Sequence, residues 1–187
     1  MSEVKENKSK FFMPILISLI GSIVIIISVF LPYATATEDY KEDIENHPDL
    51  FAYSSLDLTY KDMENISMFK YARIYNNISE QVWGNKFYGI FYICLPTFMG
   101  IFALLAILFS AKKKPIAALI FNVLAFLIFA VQNSDYNSRG VIPSKLYDWG
   151  IAYYLIFIAA AVAVVGNIWL LVQKIRSKKQ NKAVAES

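Results

Sequence analysis

The chain has 187 residues, of which 57% are hydrophobic and 18% charged, with a mean hydropathy of +0.43 and a formal net charge of +3. A soluble domain carries roughly a quarter charged residues, so this composition excludes a cytosolic enzyme and a nucleic-acid-binding protein and indicates an integral membrane protein. Its many Ile and Asn residues are typical of an AT-rich bacterial genome.

Four stretches of the chain contain no charged residue, and each is long enough to span a membrane. A hydrocarbon core of about 30 Å requires roughly 20 apolar residues in a helix. The sequence therefore predicts an all-α membrane protein, a four-transmembrane-helix bundle with an extracytoplasmic helical loop subdomain between helices 1 and 2. The predicted spans are residues 11–33, 87–110, 115–132 and 149–173, joined by 34–86, 111–114 and 133–148 and flanked by the tails 1–10 and 174–187.

The distribution of basic residues predicts the orientation of these spans. Eleven of the 18 Lys and Arg lie in the two tails and the 111–114 turn, whereas seven are spread over the two longer loops. Because cytoplasmic segments are enriched in Lys and Arg, we expect a multi-pass protein of the cell membrane with both termini cytoplasmic. Net charges of +8 and −5 on the two sides agree with this orientation. The lysines of the turn and of the last tail are also candidates for binding anionic membrane lipid.

The first span has an alternative interpretation as a cleaved signal peptide. Three lysines precede it, and Ala34, Thr35 and Ala36 form a small-residue triplet of the kind that a signal peptidase cuts. However, the apolar run of residues 11–31 contains 21 residues, against about 7 to 15 in the hydrophobic region of a signal peptide. We therefore predict a retained helix, with removal of residues 1–36 as the alternative.

The 34–86 loop begins with an acidic segment. Six carboxylates lie between Glu38 and Asp49, in a helix-compatible run that ends at His47 and Pro48. Carboxylates four residues apart repel one another on a helix. We interpret the segment mainly as solvated acidic surface, with a site for a cation or a basic peptide as the functional alternative.

A second, amphipathic helix is predicted from about Thr59 to Val82. Thr59 and Asp62 have the spacing of a capping box, and apolar residues recur every three or four positions. Such an apolar stripe must pack on the bundle, lie on the membrane surface or meet another protein. The candidate partner surface consists of four members of this stripe, Tyr71, Ile74, Ile78 and Val82.

The spans contain no charged residue, which argues against ion-coupled transport because such transporters use intramembrane carboxylates. A polar layer is nevertheless predicted near the middle of the membrane, formed by Ser18, Ser22, Thr97 and Asn122. Asn122 is a candidate donor to the Tyr92 carbonyl, which Pro96 deprives of its helical partner. We expect this layer to serve helix packing, with a ligand site as the alternative.

Small residues at intervals of four predict close contact between helices. Ser18 and Ser22 flank Gly21 on the first span, and Ala159 and Ala163 have the same spacing on the fourth span. Small residues let two helix backbones approach each other in a membrane. These positions are therefore expected at interfaces within the bundle or with a neighbouring protein.

Catalytic and metal-binding motifs are not found in the sequence. His47 is the only histidine and Cys94 the only cysteine, so one chain supplies neither a two-histidine metal site nor an intramolecular disulfide. A Gly-rich phosphate loop and a nucleophile-elbow motif are also lacking. We therefore predict no catalytic, cofactor-binding or metal-binding residue.

These features favour a non-enzymatic accessory or interaction subunit of a larger envelope or transport complex, which acts through its outer loop. Its partners would be membrane lipid and a second membrane protein or another copy of the chain. The alternative is a small-molecule or ion-binding membrane protein, a sensor or minor permease, with its site at the polar layer. The tetrapeptide Tyr147-Asp148-Trp149-Gly150 stands out directly before the last span without matching a functional motif.

Overall fold

A computed structural model describes the backbone of residues 2–185 and the side chains of residues 11–181. The structure is mostly helical, at 76%, and residues 2–185 contain five short strands that an all-α prediction does not include. In chain order the elements are α1 (Ser2–Ser28), β1 (Pro32–Ala36), α2 (Glu38–Asn46), β2 (Phe51–Tyr53), β3 (Leu58–Thr59), β4 (Asn65–Ser67), α3 (Met68–Trp83), α4 (Lys86–Ala111), α5 (Pro115–Ser138), β5 (Tyr147–Trp149) and α6 (Ile151–Ala185).

Helices α1, α4, α5 and α6 are each long and apolar enough to cross a membrane. The predicted number of spans is confirmed, and the chain is a multi-pass membrane protein. The helices differ from the predicted spans mainly at their ends. Helix α1 ends at Ser28 because Pro32 already belongs to a strand, and α5 continues six residues beyond the predicted end of its span, to Ser138.

Helices α1 and α6 cross with their backbones almost in contact. A Cβ atom on Gly21 would lie only 2.6 Å from the carbonyl oxygen of Ala159 and 2.6 Å from the backbone nitrogen of Ala163. A Cβ atom on Gly166 would lie 2.5 Å from the backbone nitrogen of Ser18. Small residues on both helices therefore set the distance between α1 and α6. The interfaces expected for these residues lie within the bundle.

Residues 32–83, called here the interspan segment, contribute two strands to a three-stranded antiparallel sheet. Strand β1 is central, between β4 of the same segment and β5 from the connection between α5 and α6. Ala34 lies opposite Ile66 on one side and Trp149 on the other, and Ala34 and Ile66 are fully buried. The sheet thus ties the two long connections of the bundle to each other.

The amphipathic helix of the interspan segment begins later than predicted. Thr59 ends β3, and Asp62 lies in a short 3₁₀ turn, where its Oδ2 accepts hydrogen bonds from the Thr59 backbone N–H and hydroxyl, each at 3.1 Å. The hydrogen bond from the Thr59 backbone N–H is the largest of the interactions that lower the pKa of Asp62. Residues Asn65–Ser67 pair with β1, so α3 begins only at Met68, with Ser67 Oγ accepting from the Lys70 N–H. Strand pairing therefore overrides the helical periodicity of the preceding residues.

Candidate functional site

A buried polar network joins the four spanning helices. Its members come from α1, α4, α5 and α6, and each is at most 1% exposed: Ser18, Ser22, Ser110, Asn122 and Asn167. Three of the four residues of the predicted polar layer belong to it. Ser110 lies near the end of α4, and Asn167 lies beyond the middle of the predicted span 149–173, so the depth estimate from the sequence did not include them.

One branch of the network runs from α1 through α4 to α6. Ser18 Oγ lies 2.8 Å from Ser110 Oγ, and Ser110 Oγ donates to Asn167 Oδ1 at 3.0 Å. A serine hydroxyl carries a single proton, so Ser18 must be the donor to Ser110. Asn167 Nδ2 then donates to the Ala163 carbonyl at 2.9 Å, which anchors the branch to the backbone of α6.

The second branch connects α1 with α5. Ser22 Oγ lies 3.0 Å from both the Ser18 carbonyl oxygen and an amide atom of Asn122. Because one hydroxyl proton cannot satisfy two acceptors, the pattern favours the amide orientation in which Asn122 Nδ2 donates to Ser22 Oγ and Ser22 donates to the carbonyl. This orientation also gives a partner to Nδ2, which otherwise has none among the described residues.

Thr97 does not join the network. Its side chain is exposed on the outside of the bundle, and its Oγ1 donates to the Ile93 carbonyl of its own helix at 2.7 Å. Asn122 bonds to Ser22 and not to the Tyr92 carbonyl, the partner proposed from the sequence. The network therefore holds helices together, with each interhelical bond contributing on the order of 0.6 kcal/mol.

A second polar cluster, called here the arginine cage, lies at the end of the bundle that carries the interspan segment. The Arg139 guanidinium forms a bidentate ion pair with Asp135, one turn earlier at the end of α5. Tyr92 of α4 donates its hydroxyl to the same carboxylate at 2.6 Å. Burial is the largest single influence on the pKa of Arg139 and lowers it, but the hydrogen bonds to Asp135 and the electrostatic interactions with Tyr75, Tyr92 and Asp135 together raise the pKa above its usual value. The guanidinium is therefore charged.

Four aromatic rings surround the Arg139 guanidinium. Its central carbon lies 5.3 to 6.0 Å from the ring centroids of Tyr75, Trp83, Tyr92 and Tyr136. The rings stack on one another, with 4.6 Å between the centroids of Tyr75 and Tyr92. A cation over several aromatic faces attracts each of them, so the cage fastens α3 onto the ends of α4 and α5.

The candidate partner surface on α3 is largely covered by the chain itself. Tyr71 is 6% exposed and Ile74 is 3% exposed, Ile78 is half-buried, and only Val82, at 59%, is open. The Tyr71 ring packs 5.3 Å from the Tyr136 ring, and burial raises the pKa of its hydroxyl far above the usual range. Packing on the bundle, the first of the alternatives for this stripe, thus accounts for most of its apolar residues.

The tetrapeptide 147–150 has a structural role. Tyr147 and Trp149 lie in β5, and the Tyr147 hydroxyl donates to the Met63 carbonyl at 2.9 Å. The Gly150 N–H donates to the Tyr33 carbonyl at 2.8 Å, and a Cβ atom at Gly150 would lie only 2.4 Å from the Pro32 carbonyl oxygen. The motif therefore closes the sheet and leads directly into α6.

An open, acidic surface lies on α2 and the residues that follow it, and is called here the α2 surface. Its exposed side chains are Glu38, Asp39, Glu42, Asp43, Glu45, Asp49, Leu50 and Phe51. Leu50 is 56% exposed and Phe51 is 57% exposed, whereas Ile44 on the opposite side of α2 is buried and fixes the helix to the segment. Within the described residues the ion pair of Glu38 with Lys41 is the single one that involves these carboxylates. The surface therefore combines unneutralised negative charge with two exposed apolar side chains.

The described residues contain no group of three or more His, Cys, Asp or Glu side chains arranged to hold a metal ion. The fold and these clusters define a four-span membrane protein whose first long connection is a folded segment fastened to the bundle. Comparisons with protein-family models, with curated proteins and with solved structures find no match to the chain.

Proposed function

We propose that the chain is a non-enzymatic accessory or interaction subunit of a larger envelope or transport complex of the cell membrane. It contacts its partner through the α2 surface of the interspan segment. The observation that carries this proposal is the coexistence of six exposed carboxylates with the exposed side chains of Leu50 and Phe51. Protein interfaces characteristically combine a central aromatic or apolar anchor with a polar rim.

The charge of the α2 surface favours a partner with a basic, partly apolar segment. Complementary charge raises the rate of encounter and excludes partners of the wrong sign. Phe51 would be the anchor, because a large exposed aromatic side chain gains most from burial in a partner. The exposed Val82 on α3 is the open residue of the candidate partner surface.

The alternative function, a small-molecule or ion site at the polar layer, has less support. Ser18, Ser22, Ser110, Asn122 and Asn167 use their hydrogen-bonding groups mainly on one another and on nearby carbonyls. A ligand would have to break these bonds in order to bind. Thr97, the fourth predicted member, faces away from them.

The proposed orientation places the interspan segment outside the cell and both termini in the cytoplasm. It rests on the excess of Lys and Arg in the tails and the 111–114 turn. We further propose that the first helix is retained. Removal of residues 1–36 would take away β1, the central strand of the sheet, together with the α1 side of the polar network.

The partner contact is tested by Phe51→Ser, which should weaken association by about 2 kcal/mol, or roughly 30-fold, as expected for an anchor residue. The measurement is the amount of the stoichiometric partner that native mass spectrometry detects with the purified protein. Val82→Ser is the matched control, since Val82 is 59% exposed and Phe51 57%. Loss of the partner from Val82→Ser alone would move the contact to α3, and its retention in both variants would refute the proposed surface.

The orientation is tested by single-cysteine labelling in a Cys94→Ser background, since Cys94 is the only native cysteine. A membrane-impermeant maleimide added to intact cells should label Glu45→Cys fully, because Glu45 lies on the α2 surface. Lys178→Cys should react only after the cells are broken. The reverse pattern would invert the proposed topology.

A further inference from the structure

A groove at the basic end of the bundle combines an apolar floor with a basic rim. It lies between the start of α5 and the last turns of α6 and has a volume of about 550 Å³. Its floor is formed by Pro115, Ile116, Ala117, Ile120, Leu171 and Ile175, and its rim by Lys114, Lys174 and Lys178. The groove opens to the outside of the bundle, where an acyl chain of the bilayer can enter it.

Among the described basic residues at this end of the bundle, the three rim lysines are the ones that line the groove. Lys174 Nζ donates to the Lys113 carbonyl at 3.0 Å, so its charge is held at the 111–114 turn. The Lys113 side chain itself turns away, with its Nζ 5.0 Å from the centroid of the Phe11 ring. Lys114 lines the groove, and its Nζ lies 5.9 Å from the centroid of the Phe109 ring of α4. The first turn of α5, which begins at Pro115, also borders the groove, and no side chain caps the backbone N–H groups of this turn.

Acidic side chains that could neutralise this rim are absent from the flanking sequence. No Asp or Glu occurs between residues 87 and 134 or between residues 149 and 185. Three positive charges beside an apolar groove at a membrane boundary match a ligand with an anionic head and a hydrocarbon tail.

We propose that this groove is a binding site for an anionic phospholipid of the surrounding bilayer. Lys114, Lys174 and Lys178 hold the phosphate-containing headgroup, and one acyl chain lies on the apolar floor beside Ala117. The site is separate from the α2 surface, and its existence does not depend on the proposed function. Lipid binding in this groove does not require a second copy of the chain.

The test compares two triple variants of equal charge. Purified protein in mild detergent is incubated with phosphatidylglycerol or with phosphatidylcholine of the same acyl chains, and native mass spectrometry gives the bound fraction of each lipid. The wild type should prefer phosphatidylglycerol. The variant Lys114→Gln/Lys174→Gln/Lys178→Gln should lose affinity for it by about fivefold for each lysine, or roughly 100-fold in all. The control Lys112→Gln/Arg176→Gln/Lys179→Gln removes the same charge outside the groove and should keep the preference.

A second variant tests the groove without any change of charge. Ala117→Trp fills the floor and should reduce the binding of both lipids, whereas binding by diffuse surface charge would leave it unaffected. Equal losses in the two triple variants would overturn the proposal, as would undiminished phosphatidylglycerol binding by Ala117→Trp. Because Ala117→Trp keeps all three lysines, it remains informative if the rim variant fails to fold.

Discussion

Gly21→Leu is expected to be among the most damaging single substitutions in the spans, with a loss of about 3 kcal/mol of folding free energy. The new Cβ atom would lie 2.6 Å from two backbone atoms of α6, the Ala159 carbonyl oxygen and the Ala163 nitrogen. Backbone atoms cannot move aside as a flexible side chain can, so α1 and α6 must separate. That separation also strains the branch of the polar network in which Ser110 of α4 links Ser18 of α1 to Asn167 of α6.

The measurement for Gly21→Leu is the fraction of folded protein as sodium dodecyl sulfate is added to mixed micelles. Gly21→Ala should already move the transition in the same direction, because the clash occurs at Cβ. Gly100→Leu is the matched control on α4, where a Cβ atom would meet no atom within 4 Å. Equal transitions for Gly21→Leu and Gly100→Leu would show that the backbones of α1 and α6 are not in close contact.

Arg139→Leu should release α3 from the bundle while leaving the four spans intact. The substitution removes the ion pair with Asp135. It also removes the positive charge that the four aromatic rings surround. Because Arg139 and Asp135 are about one third exposed, we expect a loss of about 2 kcal/mol and not the larger penalty of a fully buried pair. A loss of this size raises the population of the state in which α3 is detached from the bundle roughly 30-fold.

Hydrogen exchange measured by mass spectrometry distinguishes this local opening from general destabilisation. The amides of α3 should exchange roughly 30-fold faster in Arg139→Leu, with little change in α1 and α6. Arg73→Leu is the matched control, because Arg73 is an exposed arginine on α3 itself. Unchanged exchange in α3, or faster exchange in every helix, would refute a role of the arginine cage in docking α3.

The sequence alone predicts the polar network in part. Ser18, Ser22 and Asn122 could be found because each is a polar residue at mid-span of a charge-free segment. Thr97 meets the same criterion but faces outward. The criterion fails there because depth along a helix does not indicate which side of the helix points into the bundle. Asn167 was missed because its partner is Ser110, 57 positions earlier in the chain, and only the packing of both α4 and α6 on α1 brings the two side chains together.

The arginine cage was not predicted, although its components are visible in the sequence. Asp135 and Arg139 have the spacing of a helical ion pair, which was a usable signal. Tyrosines and tryptophans near the ends of spans are also typical of a membrane interface, so their presence there does not by itself indicate a cage around a cation. The four rings come from three helices, so no local pattern reveals that they surround one guanidinium.

The sequence by itself determined the number of spans, the presence of small interface residues on the first and fourth spans and the helical nature of residues 68–83. These properties follow from hydropathy, residue size and periodicity, each of which acts over one or two turns. Only the tertiary structure decided that residues 65–67 form a strand, because their hydrogen-bonding partner is β1, about 30 residues earlier. It also decided that Tyr71 and Ile74 are buried while Leu50 and Phe51 remain open, since burial depends on which element lies opposite each side chain.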